Sequence, residues 1–242
     1  MIADVNLVNV YRDNLEQIFR RITETQVTAL IQAATWAAEV IEANNIIYTL
    51  GSGHSLLIAT ELYYRAGGLA NFDVIHDRTF GRTERLAGYG KLLLDSYPIS
   101  AKDLLILVSN SGRNELTVEM AIEARQRGIR TVAITSLAHS LAVSPRTVSG
   151  FRLCDVADLV IDNCGRVGDA SVEATSPRES VMVAPTSTVA GIFIANSIVS
   201  LTTQILLNRG IDPPVFASAN IDNGDKKNED LLRFLRERLR GL

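Results

Sequence analysis

The chain has 242 residues, 47% of them hydrophobic and 21% charged, with 24 Lys plus Arg against 27 Asp plus Glu and a formal net charge of -3. Those proportions are ordinary for a folded globular protein, and the near balance of charge argues against nucleic acid or an anionic membrane as the main partner. Two cysteines, Cys154 and Cys164, are too few for a disulfide framework and have no metal-motif spacing, so free thiols in a reducing compartment are expected.

Residues 5 to 44 read as one long helix. Leu15, Ile18, Phe19 and Ile22 begin an apolar stripe that Val27, Leu30, Ile31, Ala34, Ala38 and Ile41 continue. The start of the chain lacks the basic and apolar regions of a signal peptide, so a cytoplasmic protein is expected. Ile46 to Leu50 is a short apolar, β-branched run typical of a strand buried on both faces. It breaks at Gly51-Ser52-Gly53-His54-Ser55, and a helix follows to about residue 66, stopped by Gly67 and Gly68. Phe72 to Ile75 is a second strand, and 77 to 98 is polar and then helical. Asp103 to Val108 is another buried strand. It runs into Ser109-Asn110-Ser111-Gly112-Arg113-Asn114-Glu115 and a helix closed by Gly128. Strands are expected at Arg130–Thr135 and Leu159–Ile161, followed by a polar, glycine-bearing passage to about residue 184. A long helix then begins near Pro185, with Thr186, Ser187 and Thr188 at its cap and Gly210 past its end. Its longest apolar stretch, Val189 to Leu201, is interrupted by Ser197, Ser200 and Asn196 and reads as too short and too polar to span a bilayer. A turn-rich segment and a basic amphipathic helix close the chain.

Strands alternating with helices imply right-handed βαβ units and a parallel α/β sheet covered on both faces. No Pro/Gly/Ser linker divides the chain. One domain is expected over 1–242, made of a leading helix (1–45), an α/β core (46–210) and a C-terminal turn segment and helix (211–242).

Ligands of such sheets bind beyond the carboxyl ends of the strands, where strand order reverses. The small hydroxyl residues and glycines of this chain fall at those ends, at 51–55, 109–112, 135–136 and the 186–188 cap. They offer donors without bulk at helix starts, which suits phosphate or another oxygen-rich anion. A dinucleotide site would need a third glycine where Leu56 stands, although Asp73 lies at the distance of a ribose-binding acid. The G-x-x-x-x-G-K-[ST] loop of nucleotide triphosphatases is absent.

Three stretches resemble the sugar isomerase (SIS) domain family. GSGHS at 51–55 looks like its first signature, SNSGRN at 109–114 resembles its Ser-x-Ser-Gly turn, and PTSTVAG at 185–191 is similar to its Thr/Ser-rich helix start. DNCGRVGDA at 162–170 and PPVFASAN at 213–220 look like a branch of single-SIS proteins. The resemblance implies a three-layer α-β-α sandwich around a flavodoxin-like five-stranded parallel sheet. It also implies a phosphorylated sugar as ligand and a homodimer with shared sites. On the family pattern Ser55, Ser109, Asn110, Ser111 and Asn114 hold the phosphate, Ser52 is close enough to join them, and Thr186, Ser187 and Thr188 line the same pocket. Phosphoheptose isomerases of this fold carry zinc ligands on the helix after the first signature. Here that helix has Glu61 and Arg65, and no metal or other cofactor is expected.

Aldose–ketose isomerisation needs a carboxylate to move a proton between C1 and C2 and a second group to shuttle hydroxyl protons. Glu61 is a candidate base or an i, i+4 partner of Arg65. His54 could reach a sugar hydroxyl from the glycine turn or simply be solvated. His76 with Asp77 could shuttle protons or anchor a loop. Glu84 and Arg85 could contact substrate or belong to an exposed helix. Asp169 and Glu173 could bind the sugar or act as base, although Asp in a Gly-Asp turn is often structural. Lys226 and Lys227 read as a solvated pair, and Arg233, Arg236 and Arg240, interleaved with Glu229, Asp230 and Glu237, as a solvated face. A phosphosugar isomerase is therefore expected. An etherase or deaminase of an amino sugar phosphate, or a phosphosugar sensor, is the alternative.

Overall fold

The computed structural model describes residues 6–233 together with Leu235 and Leu239. Five strands form one parallel sheet: β1 (Ile47–Gly51), β2 (Phe72–Val74), β3 (Leu104–Val108), β4 (Arg130–Thr135) and β5 (Leu159–Asp162), in the order β2-β1-β3-β4-β5. The leading segment is two helices, α1 (Asn6–Thr25) and α2 (Val27–Glu42), where the sequence suggested one. The chain bends at Gln26, whose backbone leaves helical geometry at φ -109°, ψ 1°. The Gln26 side chain accepts the Asp162 amide at the end of β5, so tertiary contact holds the break in a sequence with no local helix breaker.

Side chains alternate across each strand, so odd and even positions face opposite helix layers. Leu104, Ile106 and Val108 join α1, α2, α3 (Ser55–Glu61) and α8 (Ser187–Asn208) in one apolar cluster. Leu105 and Leu107 face α4 (Tyr89–Asp95), α5 (Glu115–Gln126) and a short α7 (Leu153–Val156), with Leu235 and Leu239. α6 (Leu137–Ala142) follows β4, and α9 (Gly224–Arg233) precedes the undescribed C-terminal stretch, in which Arg236, Glu237 and Arg240 of the expected solvated face lie. Leu69 bridges Val215, and the 213–217 segment runs beside 67–70.

Two other expectations change. The passage before residue 184 is an antiparallel hairpin, β6 (Ala170–Thr175) and β7 (Ser180–Pro185), separate from the main sheet. α1 supports it: the Tyr11 hydroxyl donates to Pro185 O at 2.8 Å and the Asn14 amide to Ser171 O at 2.8 Å. The helix expected within 77–98 is confined to α4, because 77–88 is a looped segment. α8 is longer than its 189–201 apolar stretch and, by length and composition alone, long and apolar enough to cross a membrane. Here Ala190, Ile194, Ala195 and Ile198 place it in the core.

Candidate functional site

With strand order 2-1-3-4-5, connections leave β1 and β3 toward opposite sides, opening a crevice between their carboxyl ends. Gly51 pairs with Val108 and Val108 with Ile134, so the strands end level and Ser52 and Ser109 start their loops side by side. The first loop turns sharply: Ser55 N donates to Ser52 O and Leu56 N to Gly53 O. Only glycine fits at 51, because a Cβ there would fall on the carbonyl of Ser55.

The 77–88 loop lies directly on this turn. A Cβ at Gly81 would meet Gly53 N at 3.2 Å and Ser52 Oγ at 3.3 Å. Asp77 anchors the loop, its carboxylate accepting from the Thr79 hydroxyl (2.6 Å) and amide (3.0 Å), the Gly81 amide (2.8 Å) and the Tyr89 hydroxyl (3.2 Å). Ser52 Oγ stands 3.1 Å from Glu84 Oε2 and 3.4 Å from Asp77 Oδ2. It has one proton for the two carboxylates, and the shorter contact is to Glu84. The structure therefore sets Ser52, Asp77 and Glu84 together above β1. The His54 ring stands edge-on to Phe80 of the same loop, centroids 6.3 Å apart. His76 is exposed, with its amide donating to the Tyr97 hydroxyl at 2.9 Å.

Burial pushes the Asp77 carboxyl up, but the hydrogen bonds from Thr79, Gly81 and Tyr89 outweigh it and hold the group below the usual aspartate range. A depressed carboxyl stabilises the fold above its unfolded-state pKa of about 4 and loses that contribution as pH falls through the folded value. Wild-type unfolding curves should thus show stability falling below about pH 4 that Asp77→Asn lacks. Parallel pH profiles for the two proteins would remove Asp77 from the loop anchor.

The second loop follows β3. The Gly112 amide donates to Ser109 O (3.1 Å) and Oγ (3.2 Å), closing a tight turn. Asn163 orients Asn110 by donating to its Oδ1 at 2.9 Å, and the backbone of Asn110 accepts Ser136 N. Asn114 is the N-cap of α5, yet its side chain caps nothing: its Oδ1 accepts from Arg146 at 2.6 Å. Among the described residues the first-turn amides of α5 thus lack the side-chain partner that usually satisfies a helix start, an arrangement suited to receiving an anion. The Leu116 amide is the exception, bonded to Glu84 O at 3.0 Å, which ties the 77–88 loop to this helix end.

α8 has the opposite arrangement. Asp169, at φ 70°, accepts Thr186 N (3.0 Å), Ser187 N (2.8 Å) and the Ser187 hydroxyl (2.5 Å), with the Thr186 hydroxyl at 3.4 Å. Its carboxylate fills the positive end of that helix, and Thr186 is fully buried. Among the described residues no hydrogen bond links Thr186, Ser187 or Thr188 to the 109–114 turn. Glu61 is held between α3 and α8, bonded to Arg65 and to Asn196 Nδ2 (3.1 Å). Ile58 fills the space over Gly191, so α3 and α8 lie side by side. Glu173 lies on β6, exposed, and Lys226 and Lys227 lie exposed on α9. Among the described residues no group of three or more His, Cys, Asp and Glu could hold a metal ion.

Sequence reading passed over Arg113 and Arg146. They come from separate segments, and no local motif pairs them.

A parallel 2-1-3-4-5 sheet with serine turns at its switch point defines the class. A family model described as the SIS domain matches residues 10–136, and the chain belongs to that family. It is 37% identical over 238 residues to a UPF0309 protein of Shouchella clausii, covering 94% of this chain and 96% of the relative. Among solved structures it is similar to a phosphoheptose isomerase from Francisella tularensis (TM-score 0.59, 14% identity, 84% of this chain and 100% of that one). It is also similar to the Vibrio vulnificus NanR protein complexed with ManNAc-6P (TM-score 0.57, 12% identity, 98% and 71%). At those identities the two structures speak to the fold alone.

Proposed function

We propose that the protein binds a phosphorylated sugar and interconverts its aldose and ketose forms. The observation that carries this reading is the pairing of an anion-ready helix start on α5 with Glu84, whose carboxylate accepts from Ser52 of the first loop and whose backbone carbonyl accepts from Leu116 in the first turn of α5. The phosphate sits over Ser109, Asn110, Ser111 and Asn114, with Ser52 and Ser55 across the crevice. The sugar extends from there toward Glu84.

Glu84 takes the proton from C2 of the open-chain aldose as its electron pair forms the C1=C2 bond and O1 gains a proton. The enediol then receives a proton at C1 from Glu84 while O2 gives up its own and becomes the ketone. His54, beside the glycine turn, shuttles the proton between the two oxygens. The reading assigns Asp169 to capping α8 and Glu61 to the α3–α8 contact, which leaves Glu84 as the base. It also carries the family's second subunit, with each copy completing the other's site.

Thermal-shift screening of a sugar-phosphate panel, followed by assay of the best binder for aldose–ketose conversion, tests the reading. Stabilisation should follow RT ln(1 + [L]/Kd), about 2.7 kcal/mol at a hundredfold excess. Binding without conversion would favour a phosphosugar sensor, and an inert panel would remove both.

A further inference from the structure

Three arginines come together about the open end of α5 from three parts of the chain. Arg113 belongs to the turn itself and its Nε is buried with no hydrogen-bond partner. Arg146 reaches the helix N-cap through Asn114 at 2.6 Å, and its loop is pinned to α5 by the Val148 amide donating to Glu115 Oε2 at 2.8 Å. Arg85 follows Glu84, whose carbonyl accepts the α5 amide of Leu116. Among the described residues none of these three forms an ion pair, a property they share with Arg20, Arg21, Arg78, Arg82, Arg125, Arg166 and Arg178; what sets them apart is their gathering at one helix start.

Like charges gathered with too little counter-charge repel, and a fold keeps such an arrangement at a cost that an anion relieves. The cluster is felt electrostatically. Burial lowers the Arg146 pKa first, the charges of Arg85 and Arg113 lower it further, and Glu84 opposes them. At Arg146 Glu84 only partly offsets the two neighbouring arginines, and a phosphate monoester at neutral pH, carrying about -1.5 to -2, would balance the surplus.

We propose that Arg85, Arg113 and Arg146 form a clamp for a phosphate dianion at the start of α5, so that charge pairing as well as the hydroxyl turn holds the ligand. This rests on the reading above for the rest of the ligand, but the clamp can be tested without a sugar. The clamp also predicts selectivity. A sulfate ester has the shape of a phosphate ester and a single negative charge, so it leaves part of the cluster unbalanced and binds more weakly.

The test is calorimetric titration of the full chain with inorganic phosphate at low and high ionic strength. Wild type, Arg85→Gln, Arg146→Gln and the control Arg209→Gln, whose side chain pairs with Glu42 at the far end of α8, would be compared. Each clamp variant should lose about tenfold or more in phosphate affinity, as expected for a hydrogen bond to a charged group. The loss should shrink at high salt, and the control should bind like wild type. Circular dichroism of the variants checks that they are folded. Phosphate bound equally by wild type and both clamp variants, or not saturably bound by wild type, would overturn the clamp. The sugar panel reports separately: panel binding undiminished in the variants rejects the clamp and keeps the phosphosugar reading. Arginine-dependent phosphate binding with an inert panel keeps the clamp and rejects the sugar.

Discussion

Glu84→Gln is expected to cut turnover by about 10²- to 10⁴-fold, the usual contribution of a positioned general base, while leaving binding within a few-fold of wild type. Glutamine keeps the size of the side chain and a carbonyl oxygen that can still accept from Ser52 Oγ, so the 77–88 loop should keep its place. The backbone bond from Leu116 N to Glu84 O is untouched. The lost property is the ability to accept a proton. Glu61→Gln and Asp169→Asn give the contrast. The first weakens an exposed pair with Arg65, worth a few tenths of a kcal/mol on a helix surface. The second removes a charge from the start of α8 and should lower stability by about 1 kcal/mol with turnover largely kept. Steady-state kinetics of the three variants on the best panel substrate separates them. A full loss with Glu61→Gln and none with Glu84→Gln would move the base to α3.

Ser109→Ala combined with Ser111→Ala is expected to weaken phosphosugar binding by about 100-fold or more, since each hydroxyl given to a phosphate contributes roughly 1.5–3 kcal/mol. The two serines act differently. Among the described residues the Ser111 hydroxyl has no hydrogen-bond partner, so its loss should touch the ligand alone. Ser109 is buried and its hydroxyl accepts the Gly112 amide, so its loss also loosens the turn. Ser111→Ala alone should therefore weaken binding at unchanged melting temperature. Unchanged binding in the double variant would put the phosphate elsewhere.

Much of this arrangement is legible in the sequence because buried parallel strands write themselves plainly. Leu104 to Val108 and Ile47 to Leu50 are apolar runs with no alternation, and the loops that follow carry the Ser/Gly composition of switch-point turns. Features that depend on tertiary contact were not legible. The break at Gln26 is held by Asp162, 136 residues away, and no glycine or proline marks it. The β6–β7 hairpin has a turn signal in Ser176-Pro177, but β7 is exposed, with Val181, Met182 and Val183 half in solvent, and polar residues flank both strands, so the passage reads as polar connection. The loop over 77–88 reads as helix because Glu84, Arg85 and Leu86 are helix formers, while positive φ at Phe80, Gly81 and Gly88 prevents it. The pairing of Ser52 with Glu84 spans 32 residues, and the gathering of Arg85, Arg113 and Arg146 spans 61 from first to last; sequence spacing carries neither. Resemblance to the family suggested the cradle, whereas the proposal of Glu84 over Glu61 and Asp169 rests on their hydrogen-bond partners, which no sequence spacing carries.

The central claim is that the anion is received at the open start of α5 and not at the capped start of α8. Backbone amide shifts recorded by NMR while the best sugar phosphate is titrated address it directly. The account predicts saturable shifts at Ser111, Arg113, Asn114 and Glu115 and at Ser52 to Ser55, with the Ser187 amide, already bonded to Asp169, staying in place. Shifts centred on Thr186 to Thr188 with a silent 109–115 turn would contradict it.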